Sequence, residues 1–275
     1  LEGCGVCGSN VPVWQGVAGG YPLAPGAPGH EGWGVGEAVG EGVDALDVGT
    51  RVTGLGYRSF AAYDVVDAHA LVPLPPELDG VPFPGEAVGC AVNVFRRSRI
   101  GRGDRVAIVG VGFLGALVLQ LAAAAGADVA AVSRRRFALE VARRCGASRT
   151  LGPDEVSDEE FDVVVEAAGV QTTLDLAARL TRVRGTLVVA GYHQDGPRRV
   201  DMQLWNWRGL DVVNAHERDP AVYVDGIRGA VAATLDGRLD PAALVTHRFP
   251  LARLGDALDA AADRPDGFLK AVVEP

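Results

Sequence analysis

The sequence predicts an α/β protein of two domains, an antiparallel β domain followed by a doubly wound parallel sheet. Three observations predict it. A β-branched run, a glycine turn and an alanine-rich apolar stretch follow one another from Arg105 to Gly126. Strand and helix patterns then alternate as far as about Gly237. Ahead of Ala91, glycine, proline and short alternating runs dominate, and no convincing helix pattern is present.

From Leu1 to about Gly89, runs such as Trp33-Gly-Val-Gly-Glu-Ala-Val and Ser59-Phe-Ala-Ala-Tyr-Asp-Val-Val lie between punctuating turns. Such alternation marks half-buried antiparallel strands in a sheet or partly open barrel. Leu1 reads as the last part of a strand and is not an initiator methionine, so further N-terminal sequence is expected ahead of it. After Ala91 the strand patterns are Val106 to Val109, Val129 to Val132, Arg149 to Leu151, Asp162 to Glu166, Thr186 to Ala190 and Asp211 to Asn214. Helix patterns fall between most of them, notably Phe137 to Cys145, stopped by Gly146, and Thr172 to Leu180. Six strands in this rhythm give the two halves of a doubly wound sheet. The last segment ends in Phe268-Leu-Lys-Ala-Val-Val, a strand able to return to the first domain. The expected domains are therefore 1–89 together with 238–275, and 90–237.

The glycine turn reads Gly110-Val-Gly112-Phe113-Leu114-Gly115, between a strand and a helix. Gly110 permits a tight turn, Gly112 lets backbone amides approach a pyrophosphate, and Gly115 lets the helix pack on the strand, while the helix N-terminus favours the anion. A dinucleotide is the expected ligand. An acidic residue at the end of the second strand would accept from the ribose 2'-hydroxyl of NAD. Ser133 stands there instead, followed by Arg134, Arg135 and Arg136. A guanidinium pairs well with a 2'-phosphate, so NADP is expected, with Arg134 the first candidate and Arg135 the second. Arg136 is expected to open the next helix.

Composition narrows the function classes. The 275 residues are 48% hydrophobic, enough for a full core, and the net charge of -9 argues against nucleic acid as a partner. The longest apolar run, Leu114 to Val132, is broken by Gln120, Gly126 and Asp128, so no membrane span is expected. Four irregularly spaced cysteines do not make a disulfide framework and point to the cytoplasm.

Three stretches of the first domain hold metal-type ligands: Cys4-Gly-Val-Cys7-Gly-Ser9-Asn10, Gly29-His30-Glu31-Gly32 and Glu86-Ala-Val-Gly-Cys90. Thiolate, imidazole and carboxylate suit zinc. At these residues the chain resembles the medium-chain, zinc-dependent alcohol dehydrogenase superfamily, most closely its polyol and threonine dehydrogenase branch, over nearly its whole length. The resemblance implies a GroES-like β domain and a Rossmann domain. It implies that Cys7 and His30 hold one catalytic zinc, with Glu31 at or beside it, and Glu86 as third ligand, since it lies the family's distance upstream of the glycine turn. Cys90 is the alternative. It further implies that Ser9 passes the alcohol proton toward solvent and that Lys270 reaches the cofactor pyrophosphate. Asn10 replaces the family's aspartate, and its amide can still accept from an imidazole N–H. The four-cysteine lobe of many members is absent between Gly32 and Phe60, so one zinc per chain is expected.

The implied reaction is hydride transfer between an alcohol of polyol, sugar or cyclitol type and NADP, zinc acting as Lewis acid on the substrate oxygen. A homodimer or homotetramer is expected, because Asp211 to Asn214 would leave an open sheet edge. Three other readings stay open: a zinc-independent quinone or enoyl reductase of the same fold, a non-catalytic dinucleotide-binding protein, and a redox pair at Cys4 and Cys7. The Tyr192-His193-Gln194 loop follows a strand's carboxyl end, where ligands gather.

Overall fold

The computed structural model describes residues 1–158 and 161–275. Its elements, in chain order, begin with strand β1 (Gly3–Gly5), helix α1 (Asn10–Trp14), β2 (Glu31–Val35), β3 (Arg51–Gly54), β4 (Leu71–Pro73) and α2 (Gly85–Ser98). There follow β5 (Arg105–Val109), α3 (Phe113–Ala124), β6 (Asp128–Val132), α4 (Arg136–Arg144), β7 (Arg149–Leu151), β8 (Phe161–Glu166), α5 (Gln171–Leu180), β9 (Thr181–Val189), α6 (Met202–Arg208) and β10 (Asp211–Asn214). The chain closes with α7 (Pro220–Leu235), β11 (His247–Pro250), α8 (Leu254–Asp263) and β12 (Ala271–Glu274). These elements group into two compact units, Leu1–Cys90 with Arg218–Pro275, and Ala91–Glu217.

The first unit is built on a six-stranded sheet in the order β11-β12-β1-β2-β3-β4. Every pairing in it is antiparallel except β11 with β12. The C-terminal strand does return as expected: Cys4 of β1 lies opposite Val273 of β12. Its core gathers Cys4, Val6, Phe60, Ala257, Leu258 and Phe268.

Two expectations for this unit are corrected. The stretch ahead of Gly89 does contain helix, because α1 is too short for a period to register and α2 already begins at Gly85. The boundary at Gly237 is also wrong, since α7 groups with the first unit and not with the parallel sheet. Close packing explains it: a Cβ at Gly89 would lie 2.7 Å from Cγ1 of Ile227 and 2.9 Å from its backbone nitrogen. Only a bare glycine on α2 lets α7 approach so near.

The second unit holds a parallel sheet in the order β10-β9-β8-β5-β6-β7. β5 pairs with β6 on one side and β8 on the other, so the strand order reverses at the loop after β5, the place where open α/β sheets bind ligands. Val106, Ala107 and Ile108 are fully buried, as a strand covered on both faces requires. β9 starts at Thr181, immediately after α5, and is longer than its expected core. Among the described residues β10 pairs only with β9 and is the sheet's edge. Among the described residues no helix is long and apolar enough to cross a membrane.

Candidate active site

The site in the first unit is set by strand register. Gly5 of β1 stands opposite Glu31, the first residue of β2. A Cβ at Gly5 would fall on Oε2 of Glu31, so the glycine makes room for that carboxylate in the buried sheet. Beyond the ends of these strands lie Cys7 and His30. The ligand atoms of Cys7, His30 and Glu31 all lie within 4.8 Å of one another.

Backbone groups hold these side chains in place. Nδ1 of His30 donates to the Pro28 carbonyl at 2.9 Å, which leaves Nε2 as the ring nitrogen a metal could take once its proton is displaced. Asn10 departs from its expected role. Its amide oxygen accepts from the Cys7 N–H at 2.8 Å, and its amide nitrogen donates to Pro28 at 3.0 Å. The Pro28 carbonyl therefore takes the imidazole proton in place of Asn10, and Asn10 ties the Cys7 turn to the Pro28 loop. Ser9 occupies the N-cap position of α1, but its hydroxyl makes no capping bond.

Negative charge accumulates around His30. Burial opposes its protonation, yet the hydrogen bond with Cys7 and the charges of Cys7, Glu31 and Glu86 outweigh burial and push its pKa to about 10. Glu86, at the start of α2, is close enough to be felt at His30 but accepts from Cys90 Sγ at 3.3 Å. Burial raises the Glu86 carboxyl, with His30 pulling it back. Burial and then Glu86 push the Cys90 thiol well up, and Tyr223 of α7 hydrogen-bonds it. The structure thus brings Cys7, His30 and Glu31 together, with Glu86 and Cys90 as a neighbouring pair. A soft thiolate, an imidazole and carboxylates gathered in a buried, anionic pocket fit a zinc ion.

The environment of Cys4 does not favour a redox pair with Cys7. Both are free, and burial and then the Glu31 charge push the Cys4 thiol well above its ordinary value.

Lys270 also departs from its expectation. Its ammonium is buried, paired with Oε2 of Glu31 and donating to the Val6 carbonyl at 3.0 Å. Burial would discharge it, but Glu31 and then Cys7 outweigh burial and raise its pKa. No pattern within either segment foretells this pair, which depends on β12 lying beside β1.

In the second unit the glycine turn has the expected form. Gly110 adopts φ +98°, and a Cβ there would lie 2.8 Å from Cβ of Ala168. A Cβ at Gly115 would fall on the Gly110 carbonyl, whereas Gly112 faces open space. Phe113 is buried and Leu114 half-buried, so they anchor α3 while its N-terminal amides face the turn. Ser133 Oγ accepts from the Arg135 N–H at 3.2 Å, and the Arg135 guanidinium donates to the Val111 carbonyl, also at 3.2 Å. Arg134 is exposed, and Arg136 opens α4 as expected.

Sequence reading missed Glu166 altogether. Fully buried at the end of β8, its Oε1 accepts from the backbone of Ala168 at 2.9 Å and Gly169 at 2.7 Å, and from Thr173 at 2.7 Å. Its Oε2 lies 3.1 Å from Nε2 of His193, whose Nδ1 accepts from Arg198 at 2.8 Å. Tyr192 stacks with His216 at 5.8 Å between ring centres.

The alcohol dehydrogenase GroES-like domain family matches residues 1–76, and the zinc-binding dehydrogenase family residues 114–223. (R,R)-Butanediol dehydrogenase of Bacillus subtilis (strain 168) is 30% identical over 71% of this chain and 70% of its own length. The chain belongs to the zinc-dependent medium-chain alcohol dehydrogenase superfamily. This medium-chain dehydrogenase is an alcohol oxidoreductase by its relatives. It is 26% identical to 2-dehydro-3-deoxy-L-galactonate 5-dehydrogenase of Pseudoalteromonas atlantica over 98% of this chain and 89% of that one. A Sinorhizobium meliloti 1021 protein described as a zinc-binding dehydrogenase and bound to NADP superimposes with TM-score 0.85 at 26% identity, covering 100% of this chain and 90% of that chain.

Proposed function

We propose that this medium-chain dehydrogenase uses one zinc ion and NADP to oxidise an alcohol of polyol, sugar or cyclitol type, or to reduce the matching carbonyl. The observation that carries the reading is the convergence of Cys7, His30 and Glu31 within 4.8 Å. A bound zinc would supply Lewis acidity at the substrate oxygen. Cys7 and His30 would hold the ion, the Pro28 carbonyl takes the Nδ1 proton of His30, and Glu86 would be the third ligand, with Cys90 as the alternative. Ser9 carries the alcohol proton toward solvent. The amides after Gly110, Gly112 and Gly115 cradle the pyrophosphate, with Phe113 and Leu114 opening the helix above it. A bound nicotinamide would supply the hydride acceptor or donor.

NADP is favoured by Ser133, which offers no carboxylate to repel a 2'-phosphate, and by the arginines that follow it, Arg134, which is exposed, and Arg135, whose guanidinium reaches Val111 of the turn. The NADP-bound S. meliloti neighbour agrees with this choice. The substrate class follows relatives named for butanediol, sorbitol and galactitol 1-phosphate. The open β10 edge favours a homodimer or homotetramer. The protein is taken to work in the cytoplasm. Elemental analysis tests the reading: about one zinc per chain is expected, and Cys7→Ser or His30→Ala should lose both the metal and NADPH formation on an alcohol panel while still binding cofactor. Full turnover by verified metal-free protein refutes it.

A further inference from the structure

From Tyr192 to Val200 every residue is exposed except His193 and Arg198, which are half-buried. Their bonding follows from the donors alone. A guanidinium N–H can only donate, so Nδ1 of His193 accepts from Nε of Arg198 at 2.8 Å and carries no proton. The ring is then neutral with its proton on Nε2, which donates to Oε2 of Glu166 at 3.1 Å. An arginine cation and a fully buried carboxylate are thus joined through one neutral imidazole. The rest of the guanidinium is also engaged, since Nη2 of Arg198 donates to the Gly169 carbonyl at 2.9 Å and pairs with Asp195.

Both ends of this relay close on one loop, residues 167–170 between β8 and α5. Oε1 of Glu166 takes the N–H groups of Ala168 and Gly169, and Arg198 takes the Gly169 carbonyl. The fit is backbone against backbone. Gly169 has φ +75°, a Cβ there would lie 2.8 Å from the Tyr192 carbonyl oxygen, and a Cβ at Gly191 would strike the Gly169 nitrogen. The same loop walls the glycine turn: the Ala167 N–H donates to the Val109 carbonyl at 2.8 Å, and Ala168 is what a Cβ at Gly110 would meet. A turn held in its binding form loses less freedom when a ligand arrives, and so binds it more tightly. We propose that Arg198 is a positioning residue for the dinucleotide: acting through His193 and the Gly169 carbonyl, it holds the 167–170 loop against Gly110 and so sets the turn that receives the pyrophosphate. The proposal rests on the dinucleotide reading. It places a determinant of cofactor affinity on the loop after β9, where it acts through other residues and not by touching the cofactor.

Parent protein, Arg198→Met, His193→Gln and the double variant are titrated with NADPH and with NADH by fluorescence, and their thermal unfolding is followed alongside. Arg198→Met should weaken binding roughly threefold to thirtyfold, the range of couplings carried through intervening residues. His193→Gln leaves a donor for Glu166 but no acceptor where Nδ1 stood, so it should weaken binding as well. The double variant should bind no worse than Arg198→Met alone, because both substitutions cut one link. Arg208→Met is the control. It strips a buried guanidinium from the carbonyls of Arg179 and Thr181 at the other end of α5, and should lower Tm while leaving cofactor affinity unchanged. Should Arg198→Met fail to fold, Arg198→Lys carries the same expectation, since a single ammonium replaces a fork that serves two acceptors. Unchanged affinity in the Arg198 variants, or an equal loss in Arg208→Met, overturns the proposal. Additive losses in the double variant overturn it too, since Arg198 would then act on the cofactor without His193. A parent that binds neither cofactor refutes the dinucleotide reading itself.

Discussion

Replacing Glu166 by glutamine tests whether the buried carboxylate organises the loops that flank the glycine turn. Oε1 receives three donors, the N–H groups of Ala168 and Gly169 and the Thr173 hydroxyl, and Oε2 faces Nε2 of His193. A glutamine must put its NH2 on one side or the other. On the Oε1 side it meets three donors. On the Oε2 side His193 would have to accept through Nε2 and carry its proton on Nδ1, where Arg198 Nε already donates at 2.8 Å. The cheaper arrangement still loses one hydrogen bond to a charged group, about 1.5 to 3 kcal/mol. For a chain of this size that lowers Tm by roughly 3 to 12 °C. Thermal unfolding followed by circular dichroism measures it, and NADPH titration should show weaker binding, because Ala168 backs directly onto Gly110. A Glu166→Gln protein that melts within about 1 °C of the parent, well under the effect of a single lost bond, would refute the argument.

Three further outcomes are expected. Ser133→Asp combined with Arg134→Ala should reverse the cofactor preference, since the parent is expected to favour NADP by roughly tenfold to several hundredfold from one or two charge-assisted bonds; equal NAD and NADP affinity in the parent makes the arginines surface charge. Asp162 is desolvated, which raises its pKa, but the Arg182 side chain and the Arg105 N–H outweigh that and hold it below the usual range. Its contribution is therefore complete above the unfolded value of about 3.9 and lost as pH falls through the lower folded value, so the stability gap between parent and Asp162→Asn should hold down to about pH 4 and close below it; a gap constant into stronger acid contradicts this. Because the His30 pKa is raised to about 10 by its anionic neighbours, zinc must displace a proton there at neutral pH. Calorimetry in buffers of different ionisation enthalpy should show proton release and tighter zinc binding as pH rises, and uptake without proton release would contradict the assignment of His30.

What was legible in the chain was whatever obeys a local rule. Gly110 and Gly115 have to be glycines because of atoms within a few residues or across one strand pair, and β5, β6, β7 and β10 fall where their strand patterns put them. The ligand motifs were legible through resemblance, but their final arrangement was not. Glu31 joins Cys7 and His30 because Gly5 stands opposite it in the sheet, and Glu86 turns toward Cys90 one helical turn along α2. Both outcomes depend on register and side-chain rotation, which no spacing along the chain encodes. The allegiance of α7 was equally hidden, since its apolar face would suit either unit until Gly89 admits Ile227.

The same long-range register explains why the one lysine sits where it does. Cys7, Glu31 and Glu86 gather three groups able to carry negative charge, and the desolvation cost of such a cluster in its charged form is several kcal/mol per uncompensated ion. Lys270 offsets one such charge, and a divalent cation would offset the others if it displaced the His30 proton and left the Nδ1 proton on Pro28. Without the metal, the only response open to the pocket is to collect protons, and the directions at His30 and Glu86 are both toward the protonated form. An arginine at position 270 would carry the charge equally well but spread it over a broad planar fork. A compact ammonium on a flexible stem fits between Val6 and Glu31, two backbone neighbours of the ligand residues, and that fit is a reason for a chain otherwise built with arginine to keep a lysine at this point.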